Sequence, residues 1–210
     1  SVPCRTSHVR EEDMIKLYDI VCRNDNFPEK DIRELYVKNA GREKSLQRGD
    51  TLDFLTYFNS FSSAKWKKYT TIKEVSVELY VQGDFEITFV LQDGEGKRFL
   101  LSEEIKGGHY VRSFPIEEVG QGILGFQLRS LSDEGSFISG AYYGEFDVFE
   151  RKTVGVGICT YKREEFVLKN IEVLRRLRQK LPELELVVVD NGRTLNMQYP
   201  DVRIIPNKNF

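Results

Sequence analysis

The sequence has few cysteines, and their placement excludes two common uses of that residue. Cys4, Cys22 and Cys159 are odd in number, far apart and not arranged in a Cys-x-x-Cys pair. Only His8 and His109 could supplement them, and the resulting spacing matches no zinc site. We therefore expect free thiols in a reducing compartment, with Cys159 buried in an apolar strand.

Long hydrophobic runs and an excess of charge of one sign are also lacking. No apolar run approaches the roughly 20 residues that a helix needs to cross a bilayer. The first residues, SVPCRTS, do not contain the apolar segment of a signal peptide. The formal net charge of −2 provides no electrostatic basis for binding nucleic acid. These absences favour a cytoplasmic protein and leave open a peripheral attachment of the full-length protein to the inner membrane face.

Short β-type segments dominate residues 1–150. VSVELYV from Val75 and FEITFVL from Phe85 alternate apolar with polar residues, and a Gln-Gly-Asp turn separates them. Further segments of this kind recur as far as Phe149. The pattern predicts an antiparallel, jelly-roll-like β-sandwich. Apolar residues at helical spacing between His8 and Cys22 predict an additional helix at the N-terminus of this domain.

A different pattern occupies residues 151–210. Thr153–Thr160 and Leu184–Val189 are continuous apolar strands, and Val202–Ile205 is a shorter third one. The segment between the first two places its apolar residues on one helical face. Apolar strands joined through a helix predict a parallel sheet that is buried on both faces, so we place a domain boundary near Glu150.

Polar residues follow each of these three strands. The clusters are Thr160–Arg163, Asp190–Gly192 and Asn207–Phe210. In an open α/β sheet the ligand binds beyond the carboxyl ends of parallel strands, so the clusters are expected to converge there. Carboxylate and amide groups can hydrogen-bond a base and a ribose, Tyr161 can stack, and Arg163 near a helix N-terminus can face a phosphate. The sequence thus predicts the outline of a nucleotide site.

These segments also resemble a known family. In order and spacing, VGVGICTYKRE, VVVDNG and IIPNKNF resemble the start of a family-two glycosyltransferase domain with the Rossmann-like GT-A fold. The upstream YFNSFSSAKWKKYTTI resembles the β-rich N-terminal domain of galactofuranosyltransferase-like members. The resemblance implies a pocket for a UDP-sugar donor. The residues that match its nucleotide-sugar-binding positions are Thr160, Tyr161, Arg163, Asp190, Asn191, Asn207 and Asn209.

The same resemblance implies parts that match nothing in this sequence. The family's Asp-x-Asp motif, which holds Mn²⁺ or Mg²⁺ against the diphosphate, and its catalytic base belong further downstream. We therefore assign no catalytic residue and no metal ligand here, and expect an inactive N-terminal portion with a truncated GT-A sheet. The full-length enzyme is expected to need Mn²⁺ or Mg²⁺. It would transfer a sugar, such as galactofuranose, from a UDP-sugar to a glycan acceptor in polysaccharide biosynthesis.

Aromatic and polar residues before Thr70 are the candidates for contact with a glycan. Tyr57, Asn59 and Trp66 combine rings with a hydrogen-bonding amide, although core or interdomain contact is the interpretation we favour for the two rings. The β-domain would position the acceptor or mediate assembly into a homo-oligomer. Two other functions stay open: a non-catalytic carbohydrate-binding or interaction sandwich, and a nucleotide-binding α/β domain unrelated to sugar transfer.

Overall fold

The computed structural model describes residues 14–22, 30–39, 45–148, 150, 152–196 and 199–207. The chain divides into two compact units. We call Ser1–Phe149 the β-unit and Glu150–Phe210 the α/β-unit. Of the described helices, none is both long and apolar enough to cross a membrane.

Two antiparallel sheets make up the β-unit. Its described elements are β1 (Met14–Asp19), α1 (Lys30–Glu34), β2 (Thr51–Asp53), β3 (Phe61–Ser62), α2 (Ser63–Tyr69), β4 (Ile72–Gln82), β5 (Phe85–Asp93), β6 (Gly96–Ile105), β7 (Gly108–Pro115), α3 (Ile116–Val119), β8 (Ile123–Ser130) and β9 (Ser136–Phe146). One sheet has the order β1-β9-β4-β7, and the other has the order β2-β8-β5-β6, with β3 also pairing to β8. Every pairing in both sheets is antiparallel, which agrees with the predicted β-sandwich.

The alternation in the sequence places the core between these sheets. In β4, Val75, Val77 and Leu79 are fully buried on the core side, and Ser76 and Glu78 point to the opposite side because side chains alternate across a strand; Ser76 is buried there as well. Phe89 of β5 contacts Phe114 of β7 with ring centroids 4.8 Å apart, which joins the two inner faces. Each buried side chain of this size contributes about 1.5–3 kcal/mol relative to an exposed one.

The predicted N-terminal helix is wrong for the part of it that the structure describes. Met14–Asp19 forms strand β1, which pairs antiparallel with β9. Leu17 and Tyr18 pack against the core from this strand. Pairing with a neighbouring strand overrides a helical spacing of apolar residues when the segment lies at the edge of a sheet. The first part of the predicted helix, residues 8–13, lies outside the described residues.

A three-stranded sheet and one helix form the described part of the α/β-unit. The elements are β10 (Val154–Thr160), α4 (Glu164–Arg178), β11 (Leu184–Asp190) and β12 (Val202–Pro206). The strand order is β10-β11-β12, and both pairings are parallel, which confirms the predicted direction of the strands. Val167 and Ile171 of α4 are buried in one cluster with apolar residues of the strands.

The opposite face of this sheet is more open than predicted. Gly155, Gly157 and Cys159 of β10 are exposed, so the expectation of a strand buried on both faces, with Cys159 in the core, is wrong. Successive residues of a strand face opposite sides, and α4 covers the side to which Val156 and Ile158 contribute. A Cβ atom added at either glycine would have no neighbour within 4 Å.

Candidate functional site

The carboxyl ends of β10, β11 and β12 lie at one edge of the parallel sheet. Thr160 pairs with Asp190, and Asp190 pairs with Pro206, so the three strands end in register. The segments that follow are therefore neighbours, as the sequence predicted. We call residues 160–163, 190–195 and Asn207 together the carboxyl rim.

Hydrogen bonds connect four of the predicted residues within the carboxyl rim. The Asn191 N–H donates to the Thr160 carbonyl at 2.8 Å, and the Asn207 N–H donates to the Asp190 carbonyl at 3.0 Å. The Asn207 side-chain Nδ2 also donates to Asn191 Oδ1 at 2.7 Å. Thr160, Asp190, Asn191 and Asn207 thus belong to one connected cluster, and the two asparagine side chains orient each other.

Asp190 organises the loop that follows β11. Its side chain is only 2% exposed, and its two oxygens accept the N–H groups of Gly192 at 3.0 Å and Leu195 at 2.8 Å. This use of an aspartate is the ordinary chemistry of an Asp-Asn-Gly turn. A contact between Asp190 and uridine stays a prediction, and the observed role of the carboxylate is to fix the backbone of the loop at Gly192 and Leu195.

The loops after β10 and β11 interlock closely. A Cβ atom added to Gly192 would lie 3.0 Å from the Lys162 backbone nitrogen, which explains a glycine at this position. Lys162 and Arg193 both have a φ of 51°, in the left-handed region that costs a residue with a Cβ atom about 1–2 kcal/mol. Two non-glycine residues in this conformation therefore lie at the rim, where tertiary contacts maintain it.

Cationic groups surround this rim. The Lys162 ammonium lies 5.3 Å from the centroid of the Tyr161 ring, and that tyrosine is 54% exposed. Arg163 is exposed at the N-cap position of α4. Arg193 Nε donates to the Asn207 carbonyl at 3.1 Å. Sequence reasoning treated Lys162 as an exposed residue rather than a functional one, and it is exposed. Arg193 was missed, although it is a basic residue in the loop that directly follows β11.

The Glu164 carboxyl and the Thr160 hydroxyl are two further polar groups at the rim. The neighbouring Thr194 side chain and the backbone N–H of Glu164 itself lower the pKa of the Glu164 carboxyl, and this effect exceeds the opposing effect of burial. The Thr160 hydroxyl is buried and has no hydrogen-bond partner among the described residues. The rim thus joins an accessible aromatic ring, two linked amides and three cations to an ionised carboxylate at the start of α4.

The carboxyl rim as described contains neither Asn209 nor a cluster of metal ligands. Asn209 lies outside the described residues. In the part of the chain that the structure describes, no three His, Cys, Asp or Glu side chains cluster as metal ligands would. The residues present therefore do not fit the Mn²⁺ or Mg²⁺ of the resembling family, and we derive no step through a metal.

The three predicted glycan-contact residues occupy different environments. Tyr57 is 79% exposed, and its ring meets Phe58 edge-on with centroids 4.9 Å apart. Trp66 is half-buried and stacks on Phe61 at 5.9 Å. Asn59 is 1% exposed, and its amide bonds the backbone of Val21 and Tyr36, so it holds a loop and leaves no surface for a sugar. A glycan contact by Tyr57 or Trp66 stays a prediction.

Comparison with known proteins places the chain among glycosyltransferase-related proteins. A model of the galactofuranosyltransferase 2 N-terminal domain matches residues 20–141, more than half of the chain, so the chain belongs to this family. The match covers the β-unit from the end of β1 into β9. It supports the resemblance of the β-rich N-terminal domain; the α/β-unit lies outside the matched residues. No curated protein sequence matches the chain.

Solved structures give only distant likenesses. The chain is similar to the Glycosylation Associate Protein (Gap123) complex from Streptococcus agalactiae, with 10% identity, coverage of 80% of this chain and 75% of that chain, and a TM-score of 0.28. It is also similar to the CBM22-1–GH10 modules of Clostridium thermocellum xylanase 10B, with 12% identity, coverage of 57% and 26%, and a TM-score of 0.27. TM-scores this low carry no argument about function.

Proposed function

We propose that this chain provides the N-terminal β-domain and the donor-binding start of a GT-A glycosyltransferase of the galactofuranosyltransferase type. The enzyme would transfer a sugar from a UDP-sugar to a glycan acceptor. The family match over the β-unit supports the class of enzyme. The parallel alignment of Thr160 and Asp190 at one sheet edge is the observation that supports a donor site.

The residues of the carboxyl rim suit the parts of a nucleoside diphosphate. The uracil ring would stack on Tyr161, whose ring is 54% exposed. The amides of Asn191 and Asn207, which hold each other in place, would hydrogen-bond the base and the ribose. Lys162 and Arg163 would face the diphosphate, for which a cation beside a helix N-terminus is well suited. These residues bind and orient the donor, and we assign none of them a role in bond breaking.

The proposal also covers the setting of the reaction. The free thiols of Cys22 and Cys159 are compatible with action in a reducing compartment, so we propose the cytoplasm, where a peripheral position at the inner membrane face would bring the enzyme to its acceptor. The family resemblance also supports galactofuranose as the donor sugar, a glycan as the acceptor and assembly of the enzyme into a homo-oligomer.

Calorimetric titration of the 210-residue chain with UDP tests the donor site. We expect Tyr161→Ala and Arg163→Ala each to weaken UDP binding about tenfold, because stacking on a ring and a charge-assisted contact with phosphate are each worth about 1–2 kcal/mol. Tyr69→Ala is the matched control, since this tyrosine is 73% exposed in the β-unit. ADP serves as the competing nucleotide.

The possible outcomes of this titration distinguish a donor site, a general nucleotide-binding domain and a carbohydrate-binding sandwich. UDP binding that depends on Tyr161 and exceeds ADP binding supports the donor site. Equal binding of ADP and UDP would instead favour a general nucleotide-binding domain. Failure to bind UDP, together with binding of oligosaccharides, would overturn the enzyme proposal in favour of a non-catalytic carbohydrate-binding sandwich.

A further inference from the structure

The outward side of the β1-β9-β4-β7 sheet carries a regular grid of polar and aromatic side chains. Residues directly paired across antiparallel strands point to the same side, and the residues between them in β4 face the core. From β9 through β4 to β7 the outward rows are Tyr143–Ser76–Ser113, Ala141–Glu78–Val111 and Ser139–Tyr80–His109. We call these nine residues the tyrosine–histidine face.

Glu78 lies at the centre of this face and receives several hydrogen bonds. The Tyr80 hydroxyl donates to Glu78 Oε1 at 3.0 Å, and His109 Nε2 lies 2.9 Å from the same oxygen. A hydrogen bond from the Tyr143 hydroxyl also reaches this carboxylate. Burial opposes ionisation of Glu78, but the three donors outweigh it and lower the pKa of the carboxyl. An ionised Glu78 can only accept, so Nε2 of His109 is the donor.

The same network fixes the rings of the face. Tyr80 and His109 stack with centroids 4.7 Å apart and an interplanar angle of 21°. Burial and the neighbouring Glu78 raise the pKa of Tyr143 to about 12, so its hydroxyl stays a donor at neutral pH. Rings that a carboxylate already holds in position lose little side-chain entropy when a ligand docks on them.

Most of the face is accessible, with Ser76 and Ala141 as its buried members, and it carries no surplus of cations. Tyr80 is 44% exposed and Val111 is 51% exposed, which leaves ring and aliphatic surface open to a ligand. On the neighbouring edge strand β1, Lys16 and Asp19 pair with each other next to Tyr143 and Ala141 of β9. These charged groups provide no surplus of cations, which disfavours a phosphate-rich ligand and favours a neutral one.

We propose that the tyrosine–histidine face binds a neutral oligosaccharide. The apolar side of a sugar ring would lie against Tyr80 and Val111. A carboxylate has about four lone-pair sites, and three donors occupy Glu78, so one remains for a sugar hydroxyl. Ser139 is exposed in the same row as Tyr80 and offers a further hydroxyl. That the oligosaccharide is the growing acceptor rests on the proposed function; the binding itself does not require the carboxyl rim.

The test is calorimetric titration of the 210-residue chain with a linear hexasaccharide of galactofuranose. We expect Tyr80→Ala and Glu78→Gln each to weaken binding about tenfold, through loss of the stacking surface and of the fixed acceptor. Phe99→Ala is the matched control, because Phe99 is 73% exposed on β6 of the other sheet. A cooperative unfolding transition, read from Trp66 fluorescence, shows that each variant is folded.

The alternatives give distinct results. If the hexasaccharide does not bind the unaltered chain, or if Tyr57→Ala abolishes binding and Tyr80→Ala does not, the assignment of this face is overturned. Sedimentation that shows a dimer lost in Tyr80→Ala would assign the face to a second copy of the chain and also overturn it. UDP affinity is measured in parallel: its absence, with hexasaccharide binding intact, removes the donor proposal alone.

Discussion

Replacing Asn59 with alanine is expected to destabilise the β-unit strongly. The Asn59 side chain is 1% exposed and joins two segments distant in sequence to its own loop. Its Oδ1 accepts the Val21 N–H at 2.9 Å, and its Nδ2 donates to the carbonyls of Val21 at 2.7 Å and Tyr36 at 2.6 Å. Alanine would remove all three hydrogen bonds and leave the backbone of Val21 without these partners.

The expected loss in free energy of unfolding is about 3 kcal/mol. A net hydrogen bond contributes about 1 kcal/mol, and each buried group left unsatisfied adds a penalty of about 1–3 kcal/mol. The Tyr36 carbonyl keeps a second donor, because the Thr56 hydroxyl lies 2.6 Å from it, and this moderates the loss. The surface exposed on unfolding does not change, so the denaturant m-value should stay constant while the midpoint falls.

Urea unfolding followed by tryptophan fluorescence measures this loss. Trp66 is the only tryptophan of the chain and stacks on Phe61, so its emission reports the β-unit alone. Tyr57→Ala, two residues away and 79% exposed, is the control and should change stability by less than about 0.5 kcal/mol. A loss below about 1 kcal/mol in Asn59→Ala, or one equal to the control, would refute the structural role of this amide.

Three other substitutions test separate features. Gly125→Ala would place a Cβ atom 2.7 Å from the Leu55 Cα, so we expect a loss of about 1–3 kcal/mol by the same urea assay, and no loss would contradict this packing. Gly192→Ala would place a Cβ atom 3.0 Å from the Lys162 nitrogen and push the loops after β10 and β11 apart. We expect UDP affinity to fall severalfold while the unfolding transition of Trp66 stays unchanged. Unaltered UDP binding would show that these loops are not part of the donor site. Because the pKa of Glu78 lies below its usual 4.5, its ionised form stabilises the β-unit above that pH, and this contribution disappears as the pH falls through the lowered value. Unfolding midpoints between pH 3 and pH 6 should therefore decline less in Glu78→Gln than in the unaltered chain, and parallel curves would show that Glu78 makes no such contribution.

Much of the fold follows from local pattern, and the exception at β1 has a physical cause. The alternation in β4 and β5 and the continuous apolar runs of β10 and β11 were sufficient to predict their sheets. Strand β1 was predicted as a helix because this edge strand is half exposed and its alternation is weak.

Some features of the two candidate sites could be predicted from the sequence, and others could not. Position after a strand was enough to predict that Thr160, Asp190 and Asn207 share an edge, because parallel strands end together. The hydrogen bonds of Asp190 to its own loop could not be read from spacing. The network of Glu78, Tyr80 and His109 depends on the register between strands far apart in sequence, which no single segment encodes.

The open side of the parallel sheet also makes the chain convenient for optical work. Cys159 projects there, one residue before Thr160, and two glycines on the same strand have no neighbouring atom where a Cβ would be. With Cys4 and Cys22 replaced by serine, a maleimide fluorophore would couple at this single thiol and have room to lie flat on the strand. Its emission would change when a nucleotide occupies the adjacent loops, so donor association could be followed in real time without labelling the nucleotide.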